Sequence, residues 1–192
     1  MKRSKAPQDH TTHTEAPLET GFHAIGVVRS PYKERFGTPR QPTVTTQVLG
    51  DAALDAEILL YAGCDYEMAL EGIEEFDYIW VISWLHLNTG WKPKVIPPRG
   101  PKVSRGVFAT RAPHRPNSIG LSALRLMGVE GRVLKVRGID LLDGTPVLDI
   151  KPYVPYADAF PGAHAGWLDT IGEAAHGPDR FEDVSTDSQS RL

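Results

Sequence analysis

Large apolar side chains cluster in the middle of the chain and are nearly missing from its ends. Residues 1–20, "MKRSKAPQDHTTHTEAPLET", carry almost none, and residues 173–192 are acidic, serine-rich and equally poor in them. Neither stretch can bury enough surface to offset its ordering entropy, so both read as disordered tails around a folded unit of about residues 21–170. Within that unit "FHAIGVVRS" and "TVTTQVLG" are β-branched runs ending in turn residues, and "DAEILLYA" is a short apolar strand. In "DYEMALEGIEEF", Met68, Leu70, Ile73 and Phe76 recur at roughly helical spacing behind Asp65, which predicts a capped helix. "DYIWVISWLHL" is the most apolar run and reads as a central strand. "LSALRLMGVEGRVLKVRGIDLL" divides at Glu130-Gly131 like a hairpin, and "LDGTPVLDIKPYV" turns at Asp143-Gly144 before a last strand. Many short strands with glycine-rich turns predict a mainly β domain. The expected form is a small antiparallel β-barrel with one or two short helices. The layout is a tail over 1–20, the barrel over 21–160, and a short C-terminal extension with a disordered tail over 161–192.

Composition changes this picture little. The 192 residues are 41% hydrophobic and 23% charged, ordinary for a globular protein. The single Cys64 excludes an internal disulfide and suits a reducing compartment. With no apolar run of membrane-spanning length and no signal-peptide core, a cytoplasmic protein is expected, with no membrane partner.

Charge distribution says more than the net charge of −3. Residues 50–77 hold nine acids and no base, whereas residues 92–137 hold eleven bases and one acid, Glu130. The two segments either neutralise each other across the fold or leave a basic surface for a polyanion such as RNA. Prolines in "KPKVIPPRGPKVSRG" make its basic part a loop suited to phosphates, with Lys92, Lys94, Arg99 and Lys102 as the contacts.

The stretch "RAPHRPNSIG" then stands out. Pro113 and Pro116 fix their own φ and push Ala112 and Arg115 toward extended backbone, so the segment is a stiff loop. It presents Arg111, His114, Arg115 and Asn117. A stiff loop has little entropy left to lose on binding, which suits a ligand site; the alternative is a barrel corner whose arginines pair with nearby acids. Standard signatures are absent. There is no G-x-G-x-x-G, no Walker loop, no serine elbow and no metal-ligand spacing among the seven histidines, so no metal is expected. Asp140 and Asp149 are candidates to pair with Arg137 or Lys151.

Four stretches in order resemble the TrmO/YaeB family, also called the TsaA-like domain. They are "IGVVRSPYKERFGTPRQP", "LEGIEEFDYIWVISWLH", "GVFATRAPHRPNSIGLS" and "DLLDGTPVLDIKPY". The resemblance covers about residues 22–160, nearly the whole folded unit. It implies a non-Rossmann methyltransferase fold working as a homodimer. The implied activity is S-adenosyl-L-methionine-dependent methylation of N6 of threonylcarbamoyladenosine, beside the anticodon of certain tRNAs. The implied partner is the tRNA anticodon stem-loop, with Arg115 joining the lysines as an RNA contact. Implied cofactor contacts are Pro39, Arg40 and Gln41, then His86 and Leu87, then Arg111 and Leu121, and finally Leu141, Leu142, Asp143 and Gly144. Each also has an ordinary structural reading: ion pairs for Arg40 and Arg111, a satisfied strand-end histidine for His86, and a plain turn for Asp143-Gly144.

No catalytic base is identified. Asp143, His114 and Tyr153 are the candidates, with His114 having the most suitable ordinary pKa. Some bacterial members carry a further C-terminal domain, and about thirty residues past "DIKPYVPYADAF" are too few for one. A same-fold methyltransferase acting on a small molecule or another RNA base is the alternative, as is a non-enzymatic S-adenosylmethionine-binding module.

Overall fold

The computed structural model describes residues 21–34, 38, 55–98 and 100–171. Both expected tails, the "TVTTQVLG" strand, Pro39, Arg40, Gln41 and Arg99 lie outside these residues.

Eight strands form in the described chain: β1 (Gly26–Arg29), β2 (Asp55–Leu60), β3 (Tyr78–Trp84), β4 (Lys94–Val95), β5 (Arg105–Gly106), β6 (Ile119–Glu130), β7 (Val133–Arg137) and β8 (Pro146–Pro152). Six of them close into an antiparallel barrel in the order β1-β2-β7-β6-β3-β8, and β4 and β5 form a separate two-stranded ribbon. Alternation decides the interior. In β3 the side chains of Ile79, Val81 and Ser83 are buried while those between them are not, and in β6 Ser122 and Leu124 point inward. Val28, Ile58, Leu134, Val136, Ile139 and Val147 complete a core with essentially no solvent exposure. Closure removes the free sheet edges that so small a structure would otherwise expose.

The expected hairpin is present: Glu130 pairs with Val133, and Gly131 takes a φ of 59° in the turn between them. The expected helix is not. Helix α1 spans only Tyr66–Ala69, and a separate 3-10 turn covers Ile73–Glu75. Gly72, at φ 82°, breaks the run between them. Asp65 does not cap it; its backbone is left-handed at φ 52° and its side chain makes no capping bond. Of the four spaced apolar residues, Leu70 is buried and Ile73 packs on the core, while Met68 and Phe76 remain exposed. A second short helix, α2 (Pro155–Asp158), starts on a proline, which is pre-organised for a first helical turn.

Antiparallel closure also gives the barrel two chemically different ends. Strands β1, β3 and β7 run toward one end, where β2, β6 and β8 begin. The loops there contain Ser30–Glu34, Leu85–Ser118 and Gly138–Thr145.

A candidate ligand site at one end of the barrel

Every described residue expected to touch a cofactor sits at this one end. His86 and Leu87 follow β3, Arg111 lies in the segment before β6, Leu121 is in the first turn-ward part of β6, and Leu141–Gly144 precede β8.

One half of the site is the Leu141–Gly144 loop, stapled to the exit of β1. The Asp143 amide donates to the Tyr32 carbonyl and the Gly144 amide to the Val28 carbonyl, both at 2.8 Å. The Ser30 hydroxyl donates to the Leu141 carbonyl at 2.8 Å, and the Ser30 amide donates to Asp143 Oδ1 at 3.0 Å. Lys33 Nζ meets Asp143 Oδ2 at 2.7 Å. These bonds to Lys33 and then Ser30 hold the Asp143 carboxyl below its ordinary pKa against a smaller desolvation effect. Gly144 has a φ of 78°, a conformation glycine adopts without strain. The Leu141 side chain is buried in the core, so only its backbone is available to a ligand. An open groove of about 800 Å³ takes in Asp143, Gly144, Arg29, Ser30, Lys33 and Lys135, and none of His86, Leu87, Arg111 or Leu121.

The other half comes from β3, β6 and the segment between them. The Leu85 amide donates to the Ser118 carbonyl at 2.8 Å, and Asn88 Nδ2 reaches the Pro113 carbonyl at 3.4 Å. The proline-stiffened stretch is thereby held against the exit of β3. The His86 ring stands edge-on to Trp84 with 6.0 Å between centroids. Trp84, Ile119 and Leu121 are substantially exposed on the outer face of β3 and β6, and Leu87 and Arg111 are exposed in the segment between these strands.

A side-chain bond joins the halves. Ser122 Oγ, on β6, donates to Asp140 Oδ1 at 2.6 Å. Burial pushes the Asp140 carboxyl up to about 6; the Ser122 bond, its own backbone amide and the Arg111 charge oppose the shift only in part. Of the expected pairings, Lys151 meets Asp149 at 2.7 Å as expected, whereas Arg137 pairs with Asp55, also at 2.7 Å. No sequence signal marked Ser122 or Tyr32 as neighbours of Asp140, because they come from distant parts of the chain.

The other expected residues are spread around this end. Lys92, Lys94 and Lys102 are exposed on the segment linking β3 to β6. Arg115 is instead turned inward: its Nη1 donates to the carbonyls of Val107 and Thr110 at 3.1 and 2.9 Å, and the guanidinium lies 5.5 Å from the Phe108 ring. Tyr153 stands at the far end of the barrel, bonded through its amide to the Tyr78 carbonyl. Among the described residues no group of three or more His, Cys, Asp or Glu could hold a metal ion, and no helix is long and apolar enough to cross a membrane.

A small closed antiparallel barrel with a loop-built polar site at one end is a class apart from doubly wound nucleotide-binding sheets. Residues 27–159 match the model of the tRNA-methyltransferase O N-terminal domain, and the chain belongs to that family. It is 43% identical over 160 residues to an Escherichia coli protein named tRNA (adenine(37)-N6)-methyltransferase, covering 80% of this chain and 66% of that one. A Methanothermobacter thermautotrophicus protein named a probable S-adenosyl-L-methionine-binding protein is 42% identical over 142 residues, covering 74% of this chain and 96% of that one. A crystal structure of TrmO from Pseudomonas aeruginosa superposes with a TM-score of 0.65 at 42% identity, covering 79% of this chain and 64% of that one. The chain thus spans about two thirds of the length of the E. coli relative and of the Pseudomonas structure.

Proposed function

We propose that this chain binds S-adenosyl-L-methionine at the loop-built end of the barrel. Its methyl group is transferred to N6 of threonylcarbamoyladenosine beside a tRNA anticodon. The observation that carries the reading is convergence: four separated family motifs meet at one end, next to an exposed lysine segment. The side chains match the cofactor in kind. Arg111 is an exposed guanidinium for a carboxylate. Asp143 is an ionised acceptor for ribose hydroxyls. Backbone groups around Leu142 and the exposed Leu87 and Leu121 suit an adenine ring. Pro39, Arg40 and Gln41 belong to the same proposal through their motif.

When bound, the cofactor supplies an already activated methyl group, so the chain's task is orientation and exclusion of water. Lys92, Lys94, Arg99 and Lys102 are assigned to phosphates of the anticodon stem-loop, and Arg115 to holding the turn at Val107–Thr110. The acceptor nitrogen must give up a proton. Asp143, held ionised by Lys33, is a weak base for that, and the base is left unassigned. The working unit is a cytoplasmic homodimer of the barrel domain over 21–160. The exposed shelf of Trp84, Ile119 and Leu121 on the outer face of β3 and β6 supports a second copy docking there. Residues 161–171 are a packed extension, with Trp167 Nε1 donating to the Ala109 carbonyl at 2.8 Å.

The test is methyl transfer from labelled S-adenosylmethionine to tRNA with and without the threonylcarbamoyl group, read by nucleoside mass spectrometry. Methylation only of the threonylcarbamoylated tRNA is expected. Equal methylation of both, or of neither, overturns the substrate assignment.

A further inference from the structure

Strand β5 runs directly into a short 3-10 turn, Val107–Ala109, whose central residue is Phe108. The backbone of this turn is bonded on every side, yet Phe108 is 75% exposed. We propose that Phe108 is a stacking platform for one unpaired base of an RNA strand, with the neighbouring lysines on that strand's phosphates. This rests on the tRNA reading given above, and adds a contact to a base where that reading has contacts to phosphates.

The turn is anchored beneath the ring and on both sides of it. Val107 is buried, and its amide donates to the Pro93 carbonyl at 2.9 Å. Three donors converge on the Val107 carbonyl: the Thr110 amide at 3.2 Å, the Thr110 hydroxyl at 2.9 Å and Arg115 Nη1 at 3.1 Å. Arg115 Nη1 also donates to the Thr110 carbonyl at 2.9 Å, and Trp167 Nε1 to the Ala109 carbonyl at 2.8 Å. A lone exposed apolar side chain is ordinary on a protein surface; one carried on a fully bonded turn is pre-organised, with little backbone entropy left to lose on contact. The Arg115 guanidinium lies over the Phe108 ring, 5.5 Å from its centroid, and the rest of the ring surface is open to a partner.

The surroundings select the partner. Pro93, which receives the Val107 amide, lies between Lys92 and Lys94, and Lys94 pairs with Gly106, two residues before Phe108. Both lysines are exposed. The one acid of residues 92–137, Glu130, stands at the opposite end of β6 and pairs there with Lys135. An apolar protein partner would use the ring and leave the lysines unmatched. A single RNA strand uses both, because every base has a π face and every nucleotide carries a phosphate. Duplex RNA keeps its base faces stacked on one another, so the strand must be a loop or an unpaired segment.

The test is fluorescence anisotropy of a threonylcarbamoylated anticodon stem-loop RNA and of single-stranded oligoadenylate, over about 50–200 mM salt. Phe108→Leu keeps an apolar side chain and removes the π face. It should weaken binding of both RNAs about tenfold at every salt concentration, with the parental salt slope, because no phosphate contact is lost. Phe108→Tyr should bind as the parent does. Replacing one particular loop nucleotide by an abasic one should cost the parent about tenfold and Phe108→Leu nothing. Parental affinity in Phe108→Leu, weakened binding in Phe108→Tyr, or no loop position coupled to Phe108 overturns the proposal. So does a changed oligomeric state of Phe108→Leu in light scattering, which assigns the ring to a second copy, or weaker S-adenosylmethionine binding in calorimetry, which assigns it to the cofactor. A parent that binds oligoadenylate through Phe108 but not the stem-loop refutes the tRNA reading and leaves the stacking role standing. A parent that methylates the tRNA while Phe108→Leu binds it equally well refutes the stacking role alone, and a parent that binds neither RNA refutes both.

Discussion

Gly120 is the position where one added methyl group has the most predictable consequence. It sits in β6 directly across from Ser83 in β3, and both face the barrel interior near the candidate site. A Cβ built on Gly120 falls on Ser83 Oγ, far inside van der Waals contact, with Leu85 Cδ2 at 3.2 Å behind it. Gly120 does not have a positive φ, so the requirement is space rather than backbone freedom. Two effects compete in Gly120→Ala. Loss of unfolded-chain freedom favours the variant by about 0.4–1 kcal/mol. Overpacking costs about 1–3 kcal/mol, because β3 and β6 are fixed by pairing to both neighbours and cannot separate. Net destabilisation of about 1–2 kcal/mol is expected. The Ser83 hydroxyl is buried with no hydrogen-bond partner, so Ser83→Ala should cost nearly nothing or stabilise. In that background the clash largely disappears, and the double mutant should recover most of the loss. The cycle, measured by urea denaturation, should give a coupling of about 1–2 kcal/mol. Gly120→Ala at parental stability, or additive single variants, would show that Ser83 simply turns aside and would refute the packing argument.

Three further outcomes are expected. Burial raises Asp140 from 3.8 to about 6, so its contribution favours the fold below pH 4 and is lost as pH rises through about 6. At about 1.4 kcal/mol per unit the loss is about 3 kcal/mol, and the stability gap between Asp140→Asn and the parent should open over that window and then level off. Asp143→Ala removes the acceptor of the Ser30 amide and should cost about 1–2 kcal/mol, whereas Lys33→Met, which breaks only the exposed ion pair, should cost less than about 1 kcal/mol in thermal denaturation. Trp167→Ala loses the 4.4 Å cation–π contact with Arg105 and the bond to Ala109; hydrogen exchange should quicken at residues 105–110 while the barrel amides stay protected.

Much of the barrel was legible because turn chemistry is local. Gly131 and Gly144 were read from their neighbours, and both lie at positive φ in turns. The run "YIWVISW" was legible as a strand but not in its facing. Trp80, Ile82 and Trp84 on the outer face are as apolar as Ile79 and Val81 inside, which hides the period of two. The helix over 65–76 was misread for the opposite reason: its spacing was right, but Gly72 at positive φ splits it into one α turn and one 3-10 turn, with Met68 left exposed. The motif residues of the candidate site were legible through family resemblance, and their gathering at one end follows from strand direction. Asp140 was seen only as an ion-pair candidate. Its bond to Ser122 spans two strands and a loop, a relation that no spacing rule within one segment encodes.

The distribution of buried polar groups distinguishes the two ends of the barrel. Among the described residues the buried polar side chains are Ser30, Ser83, Ser122 and Thr145. Ser30 follows β1, Ser83 is next to last in β3, Ser122 is near the start of β6, and Thr145 immediately precedes β8, so all four lie toward the same end. Tyr32 adds a buried phenol there, and Asp140 a half-buried carboxyl. Two of these groups, the Ser83 and Tyr32 hydroxyls, have no hydrogen-bond partner, and each such group costs about 1–3 kcal/mol. The opposite half of the interior, around Ile58, Ile79, Leu124 and Leu134, is wholly apolar. A barrel needs only apolar filling to close, so folding alone gives no reason for this asymmetry. If binding is the reason, removing a hydroxyl and a charge should separate the two demands. Ser83→Ala with Asp140→Asn is expected to give a more stable barrel that binds cofactor poorly, and a stabilised double variant with parental affinity would mean that the polar end serves neither task.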